Sequence, residues 1–406
     1  MSSWTPVLLS CAVACAAAPT ALAAEPLRWV DVTRCLDESP RVAEARARAN
    51  AAAAGVKAAS QVPNPQIDVT GGEGRSQDGL QRRGEWSLSL TVPLDWIGTK
   101  GPRVDAARSA AVAAEQDAAS ARREAVLQLR RLFVTTAYEQ ALAASMTASL
   151  AQTEELARLV RRRVESGEGR PTELPRVEVE VERARSALEQ AQARAAGLRE
   201  QLSLWLGQPV DRVDAEASSE PDLPPLGEVQ GRAREDNPLV LAARARVVSA
   251  RSEVQVERNQ RIPAVSVGGY VLNELDRQAV GGAVGIQAPI WNWNGGRIEQ
   301  AESNHLAESS RLEAARIEAV GAATEAWWMC QQGQAAARRY REAILPRAEQ
   351  AARTLERSFQ LGEASLLDVL DARRVLLEAR REGLAAWVER ENDCATLHYL
   401  FTGDFR

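Results

Sequence analysis

Few side chains in this sequence are suited to covalent or metal chemistry. The two histidines, His305 and His398, lie far apart, and three cysteines, Cys35, Cys330 and Cys394, follow the leader. No cluster has the spacing of a metal site, no nucleophile stands beside a base, and no glycine-rich loop cradles a phosphate. An odd cysteine count argues against a disulfide framework. Buried free thiols are the expectation, with a Cys35–Cys394 bridge as the alternative because both lie near where the chain's two ends run. Nothing asks for catalysis, a cofactor or a bound metal. Charge remains. Asp368 and Asp371 are three residues apart, so on a helix they share one face. Glu173 stands six residues after Gly167, as Asp368 stands six after Gly362. Carboxylates in a first helical turn favour the dipole; gathered in a ring at a constriction, they select cations.

The elements that must position these acids are helices. Ala, Glu, Arg, Leu and Gln dominate while aromatics make up only 4%, the composition of long helices. The net charge of −5 is mild. Its signs are interspersed with no basic block, so no nucleic-acid partner is expected. Residues 1–23 read as a secretory signal peptide. An apolar run begins at Val7, and Ala21-Leu22-Ala23 forms an A-x-A signal for cleavage after Ala23. The usual positive charge ahead of that run is absent. Cys11 and Cys15 each follow a small residue, yet neither fits a lipid-attachment box, so plain cleavage is the preferred reading.

The rest of the chain reads as one unit written twice. "ESPRVAEARARANAAAAGVKAASQVPNPQIDV" resembles "DNPLVLAARARVVSARSEVQVERNQRIPAVSV". Pro40 pairs with Pro238, Pro65 with Pro263, Pro93 with Pro289, Arg103 with Arg297, and Gly167 with Gly362. Each half predicts a helix with Pro in its first turn, a hairpin, a long helix, a glycine turn and a return helix. The expected divisions are a first helix at 24–64, a first β-hairpin at 65–93, and a long helix with its return at 94–210. A linker and second-half helix at 211–262, a second β-hairpin at 263–289, and a second long helix with its return at 290–406 follow. The long helices are expected over about Val104–Val164 and Arg297–Leu361. At about 1.5 Å per residue, each is too long for a compact globule and needs neighbours along its length.

Between the helices the period changes from 3.6 to 2. In "EWSLSLTVP", Trp86, Leu88, Leu90 and Val92 point one way and Ser87, Ser89 and Thr91 the other. In "AVGGAVGIQAP", Val280, Val284, Ile286 and Ala288 share a face opposite Ala279, Gly281, Ala283, Gly285 and Gln287. Strands of about 9–11 residues, apolar on one face, suit a membrane barrel. They suit a soluble sandwich too, but the leader and the lack of a globular core favour the barrel. Trp96, Trp291 and Trp293 lie just past the strand ends, where an interfacial aromatic girdle would sit. Four strands cannot close a membrane barrel, which starts at about eight, and an open edge is not tolerated in lipid. The barrel must then be shared between chains. At each break the proline ends the strand and the glycines are expected to permit the passage into helix.

The duplication, the break "PIWNWNGGR", and the turns "ESGEGRPTEL" and "FQLGEASLLDVLDARRVLLEA" together resemble the TolC-like outer-membrane factors of Gram-negative bacteria. The resemblance covers the whole mature chain. It implies a mainly α protein with a membrane β-hairpin pair: a long α-helical tunnel below a trimeric 12-stranded transmembrane β-barrel. It implies a homotrimer in outer-membrane lipid, docked on a periplasmic adaptor (membrane fusion) protein and an inner-membrane pump such as an RND transporter. It puts the pore constriction on Asp368 and Asp371, with Glu173 as the first-half counterpart of Asp368. It puts the adaptor-contact hairpin tips at Gly167, Gly362 and Glu363. Ala364 departs from members that carry a basic residue there. The first hairpin leans towards the branch serving heavy-metal and related cation pumps. The implied function is a passive efflux duct, with drug efflux or type I protein secretion as alternatives. A periplasmic coiled-coil scaffold without a pore is the reading from another class.

Overall fold

The computed structural model describes residues 26–35, 39–75, 82–94, 96–214 and 222–401. The expected signal peptide, and with it Cys11 and Cys15, lies outside the described residues. The elements in chain order are α1 (Trp29–Cys35), α2 (Pro40–Ser60), β1 (Gln66–Arg75), β2 (Arg82–Pro93), α3 (Trp96–Glu165) and α4 (Glu173–Leu206). Then come α5 (Leu226–Asp236), α6 (Pro238–Asn259), β3 (Ala264–Asn273), β4 (Gln278–Gln287), α7 (Gly295–Arg339), α8 (Leu345–Gln360) and α9 (Leu366–Phe401). The protein is mainly helical with one small antiparallel sheet.

Helix starts follow capping chemistry. The Ser39 hydroxyl accepts from the Val42 N–H at 3.5 Å ahead of α2. The Asn237 carboxamide oxygen accepts from Leu239 N–H at 2.9 Å ahead of α6. In both helices Pro occupies the first turn, where its missing N–H costs nothing.

The described residues fall into two compact units. One draws on Met1–Val32 and Leu132–Ala217, the other on Thr33–Arg131 and Ser218–Arg406. In the first unit the C-terminal half of α3 and α4 form an antiparallel hairpin. Phe133, Val134, Val160, Val177 and Leu202 are almost fully buried there. Trp29 packs edge-on against Phe133, ring centroids 5.6 Å apart, and Leu27 bridges to Val213. Exposed ion pairs join the two helices, Arg161–Glu178 at 2.9 Å and Arg185–Glu154 at 3.6 Å; such pairs contribute little.

In the second unit α7 and α8 run antiparallel to α9. Glu356 meets Arg373 at 2.7 Å and Glu349 meets Arg380 at 3.2 Å. Further along, Gly333 approaches the Arg390 backbone so closely that a Cβ would lie 3.0 Å from its Cα. Val229, Ala233, Ala323, Ala326 and Leu397 are buried where α5, α7 and α9 converge. Cys330 and Cys394 form a disulfide across that contact, with Cα atoms 4.6 Å apart. This corrects the expectation of free thiols and of Cys35 as the partner of Cys394. The pairing depends on the antiparallel register of α7 against α9, which brings positions 64 residues apart in sequence face to face.

Two further expectations change. The second long helix is not continuous from Arg297 to Leu361: a π-helical turn at Tyr340–Ile344 separates α7 from α8. Pro346 follows it, and a proline cannot donate to the ladder and clashes with the preceding turn. Nor do glycines make the passage from sheet into helix. Gly98 and Gly101 lie inside α3. At the second break Asn294, not Gly295, takes the left-handed conformation (φ 56°). Its side-chain amide donates to the Glu257 backbone carbonyl at 2.8 Å and carboxylate at 2.7 Å. Asn tolerates this region better than other residues with a side chain.

Candidate functional site

The four strands form a single sheet in the order β1-β2-β3-β4, every pair antiparallel. The two hairpins join through β2 and β3, so Leu88 lies opposite Val69 on one side and Val271 on the other. Directly opposed residues share a face, and the register therefore sorts every side chain. One face carries Ile67, Val69, Trp86, Leu88, Leu90, Val92, Val265, Val267, Val271, Val280, Val284 and Ile286. The other carries Asp68, Thr70, Ser87, Ser89, Thr91, Ser266 and Tyr270, with small residues along β4. Thr70 and Ser87 hydrogen-bond across it at 2.6 Å. The apolar face is uncovered in the single chain: Ile67, Val69, Val280 and Val284 are each about two-thirds exposed or more, up to 82% for Val280. The outer edges of β1 and β4 have no strand partner among the described residues.

The tryptophans sit at the foot of this sheet. Trp96 opens α3, with the Lys100 ammonium 5.4 Å from its ring centroid. Trp291 is 95% exposed and Trp293 61% exposed. The Trp293 carbonyl accepts from the Arg261 Nε at 2.9 Å. All three belong to the second unit.

The two glycine turns have one construction. Gly167 and Gly362 adopt φ of 81° and 80°. Gly167 N–H donates to the Val164 carbonyl and Glu168 N–H to that of Arg163; Gly362 N–H donates to Phe359 and Glu363 N–H to Ser358. This bonding pattern closes a helix through a left-handed residue, and glycine alone adopts that conformation without strain. Gly167, Gly362 and Glu363 thus form exposed hairpin tips.

The carboxylates differ between the turns. Asp368 lies in the first turn of α9 and takes part in a reciprocal cap. Its carboxylate accepts from the Ser365 N–H at 3.0 Å and hydroxyl at 2.7 Å, and its own N–H donates to the Ser365 hydroxyl at 3.3 Å. These bonds favour the ionised form and hold its pKa below the ordinary carboxylate range. Asp371 is exposed and pairs with Arg374 at 2.6 Å. Glu173 is the first residue of α4, and Arg170 occupies the place that Ser365 holds in the other turn, so no reciprocal cap forms. Glu173 belongs to the first compact unit, and Asp368 and Asp371 to the second. Sequence reasoning missed Ser365 and Arg374 as partners of the acids. The S-x-x-D spacing of Ser365 and Asp368 was the available signal. Among the described residues, no group of three or more His, Cys, Asp or Glu is placed to hold a metal ion. No described helix is long and apolar enough to cross a membrane.

The mainly helical chain, with one small sheet that is apolar on a single uncovered face, falls in the class of outer membrane efflux proteins. The sequence model of the family "Outer membrane efflux protein" matches residues 32–208 and 229–401, and the chain belongs to that family. It is 27% identical over 331 residues to the cobalt-zinc-cadmium resistance protein CzcC of Cupriavidus metallidurans, covering 80% of this chain and 78% of that one. The fold is similar to that of a membrane protein from Pseudomonas aeruginosa, with a TM-score of 0.80 at 18% identity over 92% of this chain and 90% of the other. It is also similar to the outer membrane protein VceC of Vibrio cholerae, with a TM-score of 0.78 at 19% identity over 93% and 97% of the two chains.

Proposed function

We propose that this chain is one protomer of a trimeric, passive efflux duct in the outer membrane of a Gram-negative bacterium, and that it carries metal cations. The observation that carries the reading is the four-stranded sheet with one uncovered apolar face and two open edges. In lipid neither edge is tolerated. Three copies joined β4 to β1 would close a twelve-stranded barrel whose apolar face meets the hydrocarbon. Trp96, Trp291 and Trp293 would then mark the inner membrane–water interface. The family match in two stretches supports an internal duplication, each half giving one hairpin to the barrel and its helices to a periplasmic tunnel.

In this reading the tips at Gly167, Gly362 and Glu363 meet a periplasmic adaptor fed by an inner-membrane pump. Asp368 and Asp371 from three copies would ring the narrow end and raise the local cation concentration, and Glu173 is the corresponding acid of the first-half turn. Catalysis has no part, because a duct only lowers the barrier to diffusion. The cation cargo rests on the similarity to CzcC, a cobalt-zinc-cadmium resistance protein. The test is the full-length protein extracted in detergent and reconstituted in planar bilayers. The expected result is a heat-modifiable trimer whose channels prefer cations, and in which Asp368→Asn with Asp371→Asn reduces that preference while assembly persists. A well-behaved monomer with intact strand content would overturn the barrel. Unchanged selectivity in the double variant would make these residues helix-start acids and nothing more.

A further inference from the structure

The two ends of the sheet that face away from the helices differ in charge. At the β3–β4 end, Arg277 is neutralised by Glu274 at 2.9 Å, and the Glu274 N–H donates to the Arg277 carbonyl. At the β1–β2 end, Arg75 is paired in register directly opposite Arg82, with Arg83 next to it opposite Gly74. All three are exposed. Like charges directly opposed on a sheet repel.

Their face matters as much as their charge. The alternation that puts Ile67, Val69, Trp86, Leu88 and Leu90 on the apolar side continues outward through Glu73 to Arg75 and Arg82. Trp86 is four residues inward of Arg82 on the same face, and Glu73 two residues inward of Arg75. Among the described residues of this end of the face, two arginines stand against the single carboxylate of Glu73, which leaves a net positive charge. Two planar guanidiniums that stand at the rim of an apolar wall present paired donors to a tetrahedral anion. The apolar residues below present a surface for acyl chains.

We propose that Arg75 and Arg82 form a binding site for the phosphate-bearing headgroup of an outer-leaflet lipid, with Trp86 and the aliphatic rows below seating its chains. The site rests on the barrel reading above, because that reading turns this face towards lipid. An anion bridging the two arginines converts their repulsion into attraction, so the lipid also ties β1 to β2 at their outer end.

The test uses the full-length trimer in detergent, with diphosphoryl lipid A as probe and inorganic phosphate and dephosphorylated lipid A as controls. Retained lipid is counted by native mass spectrometry. Wild type should retain the diphosphoryl form about tenfold more tightly than the dephosphorylated one, the size expected for losing a charge-assisted contact. Arg75→Gln with Arg82→Gln should abolish that preference, and Arg277→Gln, at the neutralised hairpin end, should keep it. Equal lipid retention by the double variant and wild type overturns the site. Competition by inorganic phosphate at concentrations matching the lipid also overturns it, since it would show a free-anion site. The barrel reading has its own readout in the same samples: heat-modifiable trimers. Trimers without phosphate preference sink the lipid site alone, whereas absence of trimers sinks both.

Discussion

An arginine at Leu88 gives the sharpest test of the sheet's orientation. Leu88 lies five residues from Pro93 at the helix end of β2 and six from Arg82 at the other. At about 3.3 Å per residue and a tilt of roughly 40°, its side chain stands about 13 Å above the level of Pro93. In the proposed barrel that would be the middle of an apolar band about 25 Å tall. Its cross-strand neighbours on that face, Val69 and Val271, offer no partner to a charge. Leu88→Arg should therefore cost about 2–4 kcal/mol, or roughly 30- to 900-fold in the folding equilibrium. Leu90, only about 8 Å above Pro93 on the same arithmetic, should cost less. Ser89→Arg is the control. Its side chain lies on the opposite face beside Asp68 and Tyr270, where a guanidinium finds a carboxylate, and it should change stability by no more than about 0.5 kcal/mol. Urea titrations of the protein folded into phosphatidylcholine vesicles read all three variants. If Ser89→Arg proves more damaging than Leu88→Arg, the polar face meets lipid and the barrel is inside out.

Other consequences are open to measurement. Replacing both Cys330 and Cys394 by Ala frees a 64-residue loop in the unfolded chain and should destabilise the protein by about 2–4 kcal/mol; a urea midpoint equal to that of the oxidised wild type would show that the bridge contributes nothing. Gly362→Ala forces a side chain into φ 80° and should cost about 1–2 kcal/mol, whereas Ala364→Gly two residues on should change stability far less; equal effects would mean that the tip does not depend on the left-handed residue. Asp368 has a folded pKa below its ordinary 3.8, so its bonds to Ser365 stabilise the α9 start fully above that pH and are lost as pH falls through the lower folded value. Amide exchange at Ser365 should then accelerate in strong acid, and Ser365→Ala should raise the Asp368 pKa; an unmoved titration would remove the cap from the account.

What the sequence made legible was local. Trp86-Ser87-Leu88-Ser89-Leu90 shows its period without help, and Ser39-Pro40 and Asn237-Pro238 announce helix starts because cap and proline act within one turn. The turn glycines Gly167 and Gly362 were found for the same reason. What stayed hidden depends on elements meeting across the chain. The pairing of β2 with β3 sets which residues oppose Leu88, yet no residue in either strand names its partner. The disulfide follows from the register of α7 on α9, which three cysteines alone cannot reveal. The π-turn before Pro346 was closer to legible, since a proline inside a helical pattern signals an interruption. At Asp368 the charge was legible and the cap was not: Ser365, three residues earlier, also uses the carboxylate as an acceptor.

The bridge between Cys330 and Cys394 also has a mechanical meaning. It pins α7 to α9 near one end of their shared length, and Gly333 against Arg390 adds a second close contact just beyond it. The turn at Gly362, just before α9, is 32 residues from Cys394, roughly 48 Å at the helical rise. A pair of rods riveted at one end cannot slide past each other, so motion at the far end is restricted to swinging. A tilt of about 5° at the rivet would carry the turn some 4 Å sideways over that arm. The π-turn at Tyr340–Ile344 lies a short way along the α7–α8 rod from the rivet, where the rod's bending is most amplified at its tip. The covalent bond thus makes the hairpin a lever with a fixed fulcrum, and any force applied at the turn is read as rotation of α8 and α9 together.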